Sequence, residues 1–226
     1  GHPLKIDGHW VHQARTTLER ASTPLSLTAL PMFRALARDA DLVHYHFPWP
    51  MMDLLHLLGG PPRPSLVTYH SDIVRQARLL TLYRPLMERF LDRMDAIVAT
   101  SPNYARTSPV LARYRDKLEV IPIGLDAPPA PPADVLEAWR RRLPPRFFLF
   151  VGALRYYKGL GFLLAAARRT GLPVVIAGRG DLGPDDRADL PETVQIVGEV
   201  SEADKRALLS LCEAFVFPSH LRSEAF

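Results

Sequence analysis

The stretch Phe147–Gly161, FFLFVGALRYYKGLG, decides how the chain is read. An apolar run stops at Gly152, a short loop carries Arg155 and Lys158, and Gly159 leads into the apolar-periodic LGFLLAAARR. The pattern predicts strand, loop and helix, with two cations where the strand ends. In open α/β sheets ligands bind outside the carboxyl ends of strands, and the first turn of a following helix offers N–H groups to an anion. Two cations beside such donors suit a diphosphate. A solvated Arg and Lys fit the same residues, because long basic side chains are mostly exposed.

Outward from this stretch the same alternation repeats. On its C-terminal side, Pro173–Gly178 (PVVIAG), Val194–Gly198 (VQIVG) and Ala214–Ser219 (AFVFPS) read as strands. Helices are expected over Leu160–Thr170 and from Ser201 to Cys212, with Ser201 and Asp204 spaced as a capping box. Gly178–Arg179–Gly180–Asp181 follows a strand, and a lone G-x-G reads by default as a turn. On the N-terminal side, strands are expected at Asp41–Phe47, Ser65–His70, Ala96–Ser101 and Leu118–Gly124, with one more around HWVH within Lys5–Gln13. Between them Leu30–Ala40, Met51–Leu58 and Ile73–Met94 read as helices, the first with Phe33, Leu36 and Ala37 on one face and the last broken or kinked at Pro85. Short β-branched runs alternating with helical periods predict parallel βαβ units covered on both faces.

The segment Asp126–Arg146 changes character, with APPAPPA followed by the charged ADVLEAWRRR. The expected division is an N-terminal domain over 1–126, a Pro-rich linker with a short helix over 127–146, and a C-terminal domain over 147–226. The last predicted strand is followed by seven residues and no covering helix, so that domain reads as cut short.

Composition narrows the function classes. A chain of 226 residues with 47% apolar content can bury a sizeable core. A formal charge of +4 suits an anionic ligand or surface and gives no argument for nucleic acid without a motif. The single Cys212 excludes an internal disulfide and a Cys-only metal cage, and reads as a buried, inert thiol. No apolar run approaches the roughly 20 residues of a membrane span.

Several side chains stand at strand ends. His70–Ser71–Asp72 directly follows a strand, with Gln76 one helical turn on. A His and an Asp there can position a hydroxyl or relay a proton, while Ser71 or Asp72 can equally cap the next helix. His44 and His46 alternate with Val43, Tyr45 and Phe47 and so share a face. With no third ligand nearby they read as core or site-lining groups rather than a metal site. Arg75, Arg78, Arg84, Arg89 and Arg93, interleaved with apolar residues, describe a core helix with a charged outer face, or one lying on anionic lipid. Glu224, in SHLRSEAF after the last strand, falls at the same sheet edge as Arg155 and Lys158.

Taken in order, STPLS (Ser22–Ser26), LVHYHFPWP, TYHSDIVRQ, VATSPNY, VIPIGLD, VGALRYYKGL, VIAGRGDL, IVGEVSEADK and FPSHLRSEAF resemble a bacterial retaining glycosyltransferase of family 4, of the mannosyltransferase-like subgroup. The resemblance runs from about Ser22 to the end. It implies an α/β fold of two Rossmann-like domains facing each other across a cleft (GT-B), both incomplete here. The family's first strand and Gly-rich loop are expected before Leu4, and the second Glu of its E-x7-E motif beyond Phe226.

The resemblance further implies that Arg155 and Lys158, on a loop opened by Gly152, grip the donor diphosphate. The backbone at Val197, Gly198, Glu199 and Val200 would face the nucleotide base. His70 would face the donor sugar across the cleft, with Glu224 near that sugar, and these two are the expected catalytic groups. Asp72, Gln76 and His46 would lie on the acceptor side. The implied reaction needs no metal and no cofactor beyond the donor substrate. It moves a hexose, mannose from GDP-mannose as first choice, from a nucleoside-diphosphate sugar to a glycan or lipid-linked acceptor, with retention. The expected location is cytoplasmic, with peripheral contact at the inner membrane face and no nucleic-acid partner. The piece alone is expected to show little or no transfer. The rivals are a sugar-nucleotide epimerase of the same fold, an inert sugar-nucleotide-binding fragment, and a dinucleotide-dependent oxidoreductase. The last needs G-x-G-x-x-G and an acidic residue about 20 positions on, where the 152–159 loop carries cations.

Overall fold

A computed structural model describes residues 3–20, 23–61, 63–73 and 77–219 of the chain. The chain divides into two units, one reaching Ile123 and the other starting at Gly124.

The first unit opens with β1 (Leu4–Ile6) and β2 (His9–Val11), an antiparallel hairpin where one strand was expected. Asp7 and Gly8 turn it with φ of 45° and 85°, the positive values an Asp-Gly hairpin turn requires. A second hairpin, β3 (Leu18–Arg20) with β4 (Thr23–Leu25), was not anticipated. In α1 (Ala29–Asp39), Ala37 is buried and Phe33 packs on the core, but Leu36, expected beside them, is exposed.

There follow β5 (Val43–Phe47), α2 (Pro50–Gly59), β6 (Ser65–Tyr69), α3 (Ala77–Asp92), β7 (Ala96–Ala99), α4 (Pro102–Thr107) and β8 (Leu118–Val120). All four strands are parallel in the order β5-β6-β7-β8, so each crossover steps one place along the sheet. β8 is shorter than expected. Ile121 N–H still reaches Ala99 O at 3.0 Å, but Pro122 has no N–H to continue the ladder. α3 starts at Ala77 and contains Pro85, while Ile73, expected as its first residue, has no regular structure. Its Met87, Phe90 and Leu91 are buried with Phe47, Tyr69 and Ile97, so this Arg-rich helix is a core helix. Its charged side is tied down by Glu88, which accepts from Arg84 at 2.7 Å and also pairs with Arg113.

The second unit runs α5 (Ala133–Arg142), β9 (Phe148–Val151), α6 (Leu160–Thr170), β10 (Val174–Ala177), α7 (Pro184–Ala188), β11 (Val194–Gly198), α8 (Glu202–Leu211) and β12 (Ala214–Phe215). The helix read as part of the linker packs into this unit: Trp139 and Leu143, one turn apart on one face, are buried with Phe147, Leu149, Ala207 and Leu208. The opposite face of the sheet holds Phe150, Leu164 and Ile176, as the alternation along β9 requires. α8 carries the expected capping box between Ser201 and Asp204. α7 was not anticipated.

Parallel strands are ordered β11-β10-β9-β12. The chain steps from β9 to β10 to β11 in one direction, and α8 then carries it back to the other side of β9. The reversal lies between β9 and β12, the kind of position at which open α/β sheets bind ligands.

Candidate functional site

The loop carrying Arg155 and Lys158 leaves β9 at that reversal. Gly152 N–H donates to Ala177 O at 2.9 Å and Leu154 N–H to Arg179 O at 2.8 Å, tying the loop to the end of β10. Arg155 and Lys158 span a 3-10 turn closed by Lys158 N–H on Arg155 O at 2.9 Å. Gly159 then opens α6 in the left-handed region, φ 71°, and a Cβ there would fall 2.1 Å from Pro218 O. Only glycine permits both the turn and this approach of the segment after β12. The Lys158 ammonium lies 5.2 Å from the Phe217 ring centroid and 5.6 Å from that of Tyr157, distances at which a cation is attracted to the ring face. Arg155 is exposed and lines a cavity of about 610 Å³ with Leu154, Gly159, Phe162, Asp181 and Asp186. The two cations therefore share a loop but take different surroundings. The first turn of α6 has no side-chain cap, and Phe162 N–H donates back to Gly159 O at 3.0 Å.

The residues expected at the nucleotide base occupy the end of β11. Val197 and Val200 pack on the core beside Trp139, and Glu199 between Gly198 and Val200 is exposed. Glu199 takes a two-pronged bond from Arg179, Nη2 to Oε1 at 2.7 Å and Nε to Oε2 at 3.1 Å. Hydrogen bonding by Arg179 holds the Glu199 carboxyl below its ordinary value. This strap between the loops after β10 and β11 was missed, because pairing across strands leaves no local signal. Gly198 O accepts from Gly178 N–H at 2.7 Å, and a Cβ on Gly178 (φ 149°) would fall 1.9 Å from Gly152 O. The Gly178 turn is thus demanded by backbone packing.

In the first unit, parallel pairing sets His46 opposite Thr68, so His70 follows on the same face. His46 Nδ1 and His70 Nε2 are 2.8 Å apart, and His44 Nε2 lies 2.8 Å from Thr68 Oγ1. The His44 and His46 rings are 4.6 Å apart, on one face as their alternation predicts. Burial first, then neighbouring imidazoles, lower the pKa values of both His44 and His70.

Asp72 turns elsewhere. Tyr69 Oη and Ser108 Oγ donate to its Oδ1 at 3.0 and 2.8 Å, and its backbone N–H donates to Tyr104 Oη. It lines a cavity of about 340 Å³ with Ile73, Leu80, Met87 and Arg113, which His70 does not line. The structure therefore brings His46 and His70 together and leaves Asp72 in a separate pocket. Ile73, which follows Ser71 and Asp72, has no regular structure, so neither of them directly precedes a helical residue. Gln76, Arg75 and Glu224 lie outside the described residues. Cys212, expected buried, is partly exposed at the end of α8, and burial raises its thiol pKa. Among the described residues no group of three His, Cys, Asp or Glu side chains is placed to hold a metal ion. No described helix is long and apolar enough to cross a membrane.

Comparison with known proteins gives two family matches: Glycosyltransferase Family 4 over residues 2–127 and Glycosyl transferases group 1 over residues 135–226. The chain is 55% identical over 233 residues to D-rhamnosyltransferase WbpZ of Pseudomonas aeruginosa, covering 100% of this chain and 61% of that protein. It is 48% identical over 229 residues to O-antigen chain mannosyltransferase C of Escherichia coli, covering 99% and 62%. The chain thus spans less than two thirds of the length of these relatives. Among solved structures, sucrose-phosphate synthase from Thermosynechococcus elongatus matches at a TM-score of 0.67 and 20% identity, covering 94% of this chain and 60% of that one. The Anabaena protein HepE in complex with UDP and glucose matches at a TM-score of 0.65 and 16% identity, covering 88% and 58%. These structural likenesses are to GT-B folds.

Proposed function

The chain belongs to glycosyltransferase family 4, and on that premise we propose that it is the core of an enzyme moving a hexose or deoxyhexose from a nucleoside-diphosphate sugar to a glycan or lipid-linked acceptor in polysaccharide assembly. The observation that carries the proposal is the reversal point of the second sheet, where the loop with Arg155 and Lys158 enters the N-terminus of α6. A diphosphate leaving a sugar gathers negative charge in the transition state. Two cations on this loop and the dipole of the α6 N-terminus would stabilise that charge, so that the reaction needs no metal. The acceptor hydroxyl would attack from the leaving-group side, retaining configuration. The relatives' names offer D-rhamnose and mannose as the sugar, which makes GDP-mannose the first donor to try.

Calorimetric titration of GDP, UDP and ADP into the protein tests this. GDP is expected to bind preferentially, with Arg155→Ala and Lys158→Ala each weakening it roughly tenfold, the loss of one charge-assisted contact. Indifference of nucleotide binding to both substitutions would remove the diphosphate role from this loop.

A further inference from the structure

We infer that His46 is a positioning residue for His70: one N–H lies between the two rings, so that the bond to His46 sets which tautomer His70 offers its ligand. The rings lie only 14° from parallel with centroids 5.2 Å apart, yet His46 Nδ1 and His70 Nε2 approach to 2.8 Å. They therefore meet edge to edge in nearly one plane, as an N–H···N bond requires. Such a bond has room for one N–H and one lone pair, and two imidazolium rings would set two N–H groups against each other.

The backbone fixes the arrangement. His70 N–H donates to Phe47 O at 3.1 Å, pinning the residue that follows β6 to the end of β5. Among the described residues the titratable groups facing His70 are His46 and, one step back on the same strand face, His44, whose Nε2 is engaged by Thr68 Oγ1. Both neighbours disfavour charge on this face. With Nε2 committed to His46, Nδ1 is the His70 nitrogen left to a ligand: bare where His70 donates the proton between the rings, protonated where His46 does. His46 then acts through His70 and not by touching an acceptor. The relevance of this to a sugar hydroxyl rests on the transferase reading; the proton sharing does not.

The test is long-range proton–nitrogen correlation NMR of the histidine rings in the 15N-labelled chain, with no nucleotide sugar added. At neutral pH, His70 is expected to show one protonated and one bare ring nitrogen. His46→Phe should replace that pattern with shifts averaged over two tautomers. His46→Asn, whose side-chain amide stands where Nδ1 stood, should restore the single tautomer. A His70 pattern unchanged by His46→Phe in a folded variant overturns the inference. Should that variant not fold, shifts averaged over two tautomers in a folded His46→Asn overturn it equally. A locked tautomer in a protein that binds no nucleotide sugar would sink the transferase reading and leave the proton sharing intact.

Discussion

Asp53 has no route by which to ionise cheaply. It is fully buried on α2, where Tyr83 donates to Oδ2 from α3 while Oδ1 has no hydrogen-bond partner among the described residues. Burial pushes its pKa from 3.8 up to about 7, against the pull of the Tyr83 bond. Between those values the folded chain holds a proton that the unfolded chain has released. The stability this group contributes is thus full below 3.8 and is lost as pH rises through about 7. Asp53→Asn keeps an oxygen for Tyr83 and cannot ionise. Its stability relative to the parent should climb by up to about 1.4 kcal/mol per pH unit between about pH 4 and about 7, then level off. Urea unfolding of both proteins at a series of pH values measures this, and a difference that stays flat would place the buried proton elsewhere.

At the scale of elements, the two helices α5 and α8 are joined through one carboxylate. Asp204 closes the capping box with Ser201, accepting from Ser201 Oγ at 2.6 Å, and its other oxygen accepts from the buried Trp139 indole N–H at 2.8 Å. Ser201→Ala should cost about 1 kcal/mol, the usual loss of an N-cap. Asp204→Ala should cost more, because it also strands an indole N–H between helices. Chemical denaturation of the two variants checks the order, and equal losses would mean that the indole bond contributes nothing. This junction also marks what the sequence could reveal. The capping box is a local spacing and was legible, as were α6, β11 and the placement of Arg155, Lys158 and His70 at strand ends, which follow from where apolar runs stop. The docking of Trp139 on α8 was not legible, nor were the His46–His70 and Arg179–Glu199 pairs. Each depends on which strands become neighbours and in what register, and no window of sequence contains that information. The β1–β2 hairpin is a different kind of miss, since Asp7-Gly8 is a local turn signal that could have been used.

Over the whole molecule, burial is organised around separate cores. Tyr69, Phe90, Leu91 and Ile97 lie in the first unit, while Phe150, Leu164 and Ile176 on one face and Trp139, Leu149 and Leu208 on the other lie in the second. A cavity cut in one core removes contacts that the other does not share. Leu91→Ala and Leu164→Ala each delete a fully buried side chain, at a cost of about 2–5 kcal/mol to the unit that holds it. Scanning calorimetry should resolve two transitions, with each substitution lowering one and sparing the other. A ligand that binds the folded state raises only the transition of the unit that holds it. If the loop at the reversal of the second sheet grips the donor phosphates, GDP should raise the Leu164-sensitive transition and leave the Leu91-sensitive one in place. A single transition lowered alike by both substitutions would show one cooperative block, and GDP acting on the Leu91-sensitive transition alone would place the phosphates in the first unit.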